Sequence, residues 1–377
     1  MQLTDLNTPA LLLDQKRMQQ NIAQMSEKIS GLSCKLRPHL KTCKSAAVAR
    51  HIQKPGTGGV TVSTLQEAEY FAEAGYTDIL YAVSMVPQKL GRAKLLQDAG
   101  IRLTFILDTM AAAVLMSTKA EELGTVFPCL IEIDSDGKRA GLKPEDSLLM
   151  DIAHFLKSAP GTTLEGVMTH AGGSYYCQGK AELKVMAEQE RSAITTAAQK
   201  IKAAGLPCPV VSLGSTPTAL FAETLEGVTE VRAGVFVFHD LVMQALGVCD
   251  FNDIALSVLT TVISHNASEN RLLIDAGSLA LSSDPGKENP AGQKHFGLAC
   301  DPVTCEPIEG LWVTSTNQEH GLISLDQTSW SFEDFPIGSL LRIFPNHACM
   351  TAAAYSEYQV TNDSAQITDQ WGRCNRW

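Results

Sequence analysis

Through the first two thirds of the chain, short apolar runs alternate with segments whose apolar residues return every three or four positions. The runs begin near Lys35 (KLRPHL), Gly59 (GVTVS), Ile79 (ILYAV), Arg102 (RLTFIL), Pro128 (PCLIEI), Leu164 (LEGVMT), Pro209 (PVVSL) and Thr229 (TEVR). Several are continuous rather than alternating, as in strands buried on both faces of a parallel sheet. Helical spacing lies between them. Met18, Ile22, Met25 and Ile29 follow a cap at Asp14, and Leu65 to Ala74 is closed by Gly75. Pro87 opens a helix striped by Leu90, Ala93 and Leu96, Pro144 opens another, and Ala181 to Ala204 ends at Gly205. Eight strands alternating with helices predict a (β/α)8 TIM-type barrel; a doubly wound open sheet is the alternative arrangement of the same units.

After about residue 245 the pattern changes. Ala255 to Ser264, Arg271 to Asp275, Leu311 to Thr314 and Ser339 to Phe344 read as strands with no long helices between them. Turn residues gather at Ser283-Asp284-Pro285-Gly286 and at Glu288-Asn289-Pro290. The expectation is a barrel over 1–245 and a mostly β domain over 246–377, with roughly the first ten residues able to pack with the second domain.

Composition narrows the class. With 45% hydrophobic and 19% charged residues, the 377-residue chain can bury a large core. A net charge of −11 without a basic block argues against nucleic acid as a partner. Met1 to Thr8 lacks the charged start and apolar middle of an export signal, and no run of about 18 apolar residues predicts a membrane span. The ten cysteines show no paired short spacings, so they read as reduced thiols of a cytoplasmic protein.

In a barrel of this type the chemistry sits where the strands end. His39, Lys41 and Lys44 follow the first run; His170, Gly172, Gly173 and Tyr175 the sixth; Gly214, Ser215 and Thr216 the seventh; Arg232 and Gly234 the eighth. Small and hydroxyl residues after the last two strands suit a phosphate, although SLGSTPT also reads as an ordinary turn. A half-buried lysine loses stability in its charged form and becomes a nucleophile toward carbonyls. Lys41 follows its apolar run immediately, while Lys35 and Lys44 are equally eligible by composition. Late in the chain, FPNHACMT offers His347 and Cys349. If that stretch is extended, both side chains face one way and suit Zn2+; otherwise they are a packed histidine and a buried thiol.

Taken together in this order, these motifs resemble the fold-type III pyridoxal-phosphate (PLP) enzymes of the D-serine dehydratase and D-threonine aldolase group, which share the alanine racemase barrel. The resemblance runs through NTPALLLD, RPHLKT, GVTVSTLQEAEYFAEAG, IEIDSDGKRAG, EGVMTHAGGSY, SLGSTPT, EVRAGVFVFHD, DAGSLALSSD, EHG and PNHAC. It implies that Lys41 carries PLP as a Schiff base and that Ser215, Thr216, Gly234 and Val235 hold the phosphate. His170 and Tyr175 would lie beside the cofactor, and Arg232 would face the pyridine nitrogen. Glu319 and His320 would support the metal or substrate site. Where the family reads RPHxKTHK this chain has Cys43 for the histidine, and where it reads RPG it has Ala233 for the proline. In this family H-x-C accompanies dehydratases and H-x-D aldolases. The implied activity is therefore PLP- and Zn2+-dependent dehydration of a D-3-hydroxy amino acid such as D-serine to a 2-oxo acid and ammonia. Mn2+ or Mg2+ would be the harder alternatives at the metal site. D-Threonine aldolase is the alternative activity; a racemase or a non-catalytic PLP carrier fits the β domain and its H-x-C less well. A homodimer follows by analogy with the family.

Overall fold

The computed structural model describes residues 1–288, 292, 294–362 and 366–377. Of the two expected turns after Leu281, the second lies outside the described residues at Asn289 and Pro290. The chain divides into two compact units: Gln24–Gly234 with Arg376–Trp377, and Met1–Ala23 with Val235–Asn375. The first passage between them falls inside the helix Gln15–Gly31, and the second at Gly234 and Val235, where the sequence pattern had placed the change near residue 245.

The strands in chain order are β1 (Ala10–Asp14), β2 (Lys35–Leu36), β3 (Val60–Val62), β4 (Asp78–Ser84), β5 (Arg102–Leu107), β6 (Phe127–Ile133), β7 (Thr162–Thr169), β8 (Val210–Leu213) and β9 (Glu230–Val231). They continue with β10 (Leu256–Asn266), β11 (Arg271–Ile274), β12 (Leu298–Cys300), β13 (Pro307–Thr316), β14 (Gly321–Ser324), β15 (Leu340–Phe344), β16 (Glu357–Thr361) and β17 (Ile367–Gly372).

In the first unit, β2 to β9 form one parallel sheet in the order β2-β9-β8-β7-β6-β5-β4-β3. All eight expected apolar runs are its strands. The residues after β2 close the ring. Arg37 and His39 donate to the carbonyls of Val231 and Ala233, while Leu40 N–H donates to Thr61 and the Pro38 carbonyl accepts from Thr61. The segment that ends at Lys41 is thus hydrogen-bonded on both sides. Its geometry is enforced by a buried chain of charges, Arg37 reaching Glu230 at 2.7 Å and Asp78 at 2.9 Å. Gly59 is required beside it, because a Cβ there would stand 2.0 Å from the guanidinium.

The helices follow the spacing with one exception. Pro144 does not open a helix: the next one is Leu148–Ser158. Leu142 is still bridged to Ile133, so the chain must leave the sheet and turn before it can coil. Three further helices, Ala46–Ile52, Met110–Glu122 and Thr216–Phe221, carry no strong stripe in the sequence.

In the second unit, β11-β14-β13-β12-β15-β10 run in order and β10 also pairs with β11, so six antiparallel strands close on themselves. β1 extends this sheet, antiparallel to β10 and parallel to β16, and β17 forms the outer edge. Every residue of β1 is buried, which is why ALLLD has no polar alternation. Among the described residues no helix is long and apolar enough to cross a membrane.

Candidate active site

Lys41 lies in the turn directly after the doubly paired segment, its backbone N–H 3.5 Å from His39 Nδ1. Gly234 packs against the same turn. A Cβ at 234 would come within 2.9 Å of both the His39 carbonyl and Thr42 Oγ1, so only glycine lets the two loops approach this closely. Two imidazoles share the amine's surroundings. Burial, and then the charges of Lys41 and Arg232, hold His39 well below the ordinary histidine value. Burial likewise brings His170 down to about 3, against a hydrogen bond between its Nδ1 and the Gly214 carbonyl at 2.8 Å. Both rings are neutral near pH 7, so each is a fixed dipole rather than a second cation beside the lysine.

Arg232 is buried under the same strand ends. Its Nη1 donates to Ser212 Oγ and its Nη2 to the Thr169 carbonyl, each at 2.6 Å. Ser212 Oγ in turn donates to Glu230 Oε1 at 2.7 Å, which joins Arg232 to the Arg37 chain. Ser215 caps the helix Thr216–Phe221; its hydroxyl accepts from Thr218 N–H and lies 3.0 Å from Ser174 Oγ. SLGSTPT is therefore strand, cap and helix start rather than a plain turn. Tyr175 sits in the 3-10 turn Gly172–Tyr176 that follows β7. Lys41, His170, Tyr175, Ser215, Thr216, Arg232 and Gly234 thus all lie at the ends of the barrel strands or in the loops that follow, whereas Val235 opens the other unit.

Three residues near this site are given no role by the sequence reading. His39, which follows the first run, is one. Glu190 is the second: fully buried on the helix Lys180–Ala203, it accepts from Ala171 N–H at 2.7 Å, from Gly214 N–H at 3.3 Å and from Thr218 Oγ1 at 2.6 Å. One carboxylate thus pins the loops after β7 and β8 together. The signal was available, since Glu190 interrupts the apolar stripe of Leu183, Ala187, Ile194 and Ala198. Arg139 is the third; its charge reaches both Glu132 and His170.

Replacing Glu190 by Ala strands two buried backbone N–H donors, each worth about 1–3 kcal/mol, and leaves Thr218 Oγ1 with Ser215 alone. We expect a loss of about 3 kcal/mol or more in stability and a PLP dissociation constant raised about tenfold. Glu190→Gln, which can meet the same three groups, should restore PLP binding. Undiminished PLP binding by Glu190→Ala would contradict the positioning role.

Cys43, which stands where the family has histidine, is buried and gives its thiol to the Leu40 carbonyl at 3.5 Å. It is a packing residue of the Lys41 turn. Ala233 supplies the carbonyl bonded by His39.

The metal motif belongs to the other unit. His347 is extended, but Cys349 lies in the first turn of the helix Ala348–Ala352, so the expected strand geometry is wrong. The two side chains meet all the same, because the tight turn brings them within hydrogen-bonding reach. His347 Nδ1 lies 3.1 Å from Asp284 Oδ2. The hydrogen bond to Cys349, the Cys349 and Asp240 charges and the Asp284 contact push His347 up to about 9. Buried Asp240 fixes the turn, accepting from Met243 N–H at 2.9 Å and from Ala348 N–H at 3.0 Å. A thiol and an imidazole, the latter backed by a carboxylate, form a donor set that fits a borderline-soft divalent ion. Among the described residues no group of three His, Cys, Asp or Glu forms a complete ligand cluster. Glu319 and His320 are exposed on the turn between β13 and β14.

Burial brings His239 down to about 4, as it brings His170 to about 3. The unfolded chain takes up these protons near pH 6.5 and the folded one does not. The stability these two rings contribute is therefore complete above about pH 6.5 and is lost as pH falls, at up to about 1.4 kcal/mol per unit for each ring. Thermal melts at pH 7, 6 and 5 should show a progressively lower Tm; a Tm constant over that range would contradict this assignment.

Comparison with known proteins decides the family. The alanine racemase N-terminal domain matches residues 13–241, and the putative serine dehydratase domain matches 255–361. A D-threo-3-hydroxyaspartate dehydratase from Delftia sp. strain HT23 is 45% identical, over 100% of this chain and 99% of its own. The chain belongs to the D-serine and D-threo-3-hydroxyaspartate dehydratase family, PLP-dependent enzymes on the alanine racemase barrel. The solved Delftia structure superposes with a TM-score of 0.94 at 46% identity, covering 100% of both chains. A D-serine dehydratase of Dictyostelium discoideum is 31% identical over 100% of this chain and 98% of its own. A solved variant of a D-threo-3-hydroxyaspartate dehydratase, 45% identical with a TM-score of 0.94 and 100% of both chains covered, is in a metal-free form. Alanine racemase of Clostridium difficile shares the fold at a TM-score of 0.69 and 13% identity, over 97% of this chain and 98% of its own.

Proposed function

We propose that the protein dehydrates a D-3-hydroxy amino acid to a 2-oxo acid and ammonia, with D-threo-3-hydroxyaspartate the first substrate to test and Zn2+ the metal. The observation that carries this reading is the full-length similarity to a D-threo-3-hydroxyaspartate dehydratase together with the thiol at Cys349. PLP, when bound, supplies an electron sink for the α-carbanion. The chain's own residues do the rest. Lys41 Nζ takes the proton from the substrate α-carbon, and the neutral rings of His39 and His170 leave the proton transfer to it. Ser215, Thr216, Gly234 and Val235 hold the phosphate, with Glu190 keeping the Gly214–Thr218 loop in place. Arg232, held by Ser212 and Thr169, would be the fixed cation to face the pyridine nitrogen, with Tyr175 beside the ring. Zn2+, when held by His347 and Cys349, supplies a Lewis acid for the β-hydroxyl. Water leaves and is regained on hydrolysis of the enamine, so the balance is substrate to 2-oxo acid plus ammonia. A cytoplasmic homodimer belongs to the same proposal and rests on resemblance to the family.

The test is a panel of D-serine, D-threonine and D-threo-3-hydroxyaspartate, with and without Zn2+. The expected result is a 2-oxo acid from at least one of them, raised by Zn2+. Glycine and an aldehyde would move the protein to the aldolases, and no turnover of any would favour a PLP carrier.

A further inference from the structure

In the β unit, a cavity of about 230 Å3 is lined by Asp14, Arg17, Cys305 and Arg342 among others. Arg342 projects from β15 and is 3% exposed. Its Nη1 lies 2.7 Å from Cys305 Sγ. Its Nε and Nη2, both buried, have no hydrogen-bond acceptor among the described residues. Those two atoms form one edge of the guanidinium, the edge that grips a carboxylate or phosphate with two parallel hydrogen bonds. Arg17 stands on the same cavity, and its charge opposes that of Arg342. Asp14 is already engaged by Arg17, through the backbone N–H at 3.0 Å and through Nε at 3.5 Å.

The cavity wall carries two cations and one carboxylate, and the charge of Asp301 also reaches Arg342. Burial pushes the Cys305 thiol up, so it meets Arg342 as a neutral thiol, and among the described residues none accepts from Nε or Nη2. A buried guanidinium that keeps two donors unpaired beside a second arginine is costly unless an anion joins it. The space exceeds the roughly 30 Å3 share of one water several-fold and accepts a tetrahedral oxyanion or a small dicarboxylate.

We propose that Arg342 and Arg17 form an oxyanion-binding site in the β domain, gripped by the Nε–Nη2 edge of Arg342. The ligand is a small phosphate- or carboxylate-class anion.

The test is calorimetric titration and thermal melting of the PLP-loaded protein, so that phosphate cannot enter the cofactor's own phosphate site. The probes are inorganic phosphate and malonate, against sodium chloride at equal ionic strength. Phosphate, malonate or both should bind saturably and raise Tm above the chloride control. Competition between them indicates the shared oxyanion chemistry; binding of one alone assigns the phosphate or the carboxylate source. Arg342→Lys keeps the charge but loses the two-donor edge, and should weaken binding about tenfold or more. Arg17→Gln, nearer the cavity rim, should also weaken it and decides the matter if Arg342→Lys does not fold. Probe effects no larger than those of chloride, or affinities undiminished in the folded variants, would overturn the site.

Discussion

Lys41→Ala is expected to lose the visible absorption of the bound cofactor and to slow turnover by about 10²–10⁴-fold or more, the range of a positioned proton-transfer group. The magnitude follows from the surroundings. The turn that carries Lys41 is held on both sides by β9 and β3 partners and locked by the contact with Gly234, so no other amine takes its position when it is removed. Lys44 does not substitute, because its ammonium is paired with the buried carboxylate of Glu67 at 2.8 Å. The fold should survive, since the ring is closed by backbone hydrogen bonds and not by the Lys41 side chain. An unchanged visible spectrum in a folded Lys41→Ala protein would remove the assignment of Lys41 as the PLP lysine.

Cys349→Ala is the second large effect. With the thiol gone, the imidazole of His347 keeps the Asp284 contact and the Asp240 charge, and neither by itself makes a metal site. Metal content measured by atomic absorption should fall at least about 100-fold at equal free Zn2+, more than the about 10–100-fold typical of losing an outer partner. PLP binding should persist, because the residues proposed to hold the cofactor, Val235 apart, lie in the other unit. Cys349→Asp should recover binding, with preference shifted toward Mn2+ over Zn2+. Full metal content in Cys349→Ala would show that the ion, if any, is held elsewhere.

The barrel was legible because its strands are buried on both faces and therefore written as continuous apolar runs. The order of strand ends then located Lys41, His170, Ser215 and Arg232. What stayed hidden has specific reasons. β1 was not among the expected strands; its partners β10 and β16 are more than two hundred residues away, and nothing local says which sheet it joins. The helix Thr216–Phe221 is one turn and a half with a proline at its start, which imitates a loop. At His347 the period of two was assumed where a helical turn begins, so His347 and Cys349 come together through that turn and not through strand geometry. Glu190 and Asp240 act through backbone N–H groups of distant loops, and such acceptors leave no spacing motif.

The dehydratase reading is tested most directly by one product analysis. D-Threo-3-hydroxyaspartate is incubated with the PLP- and Zn2+-loaded protein, and ammonia, 2-oxo acid and glycine are quantified together. Equimolar ammonia and 2-oxo acid without glycine is the predicted result. Glycine formed without ammonia would contradict it.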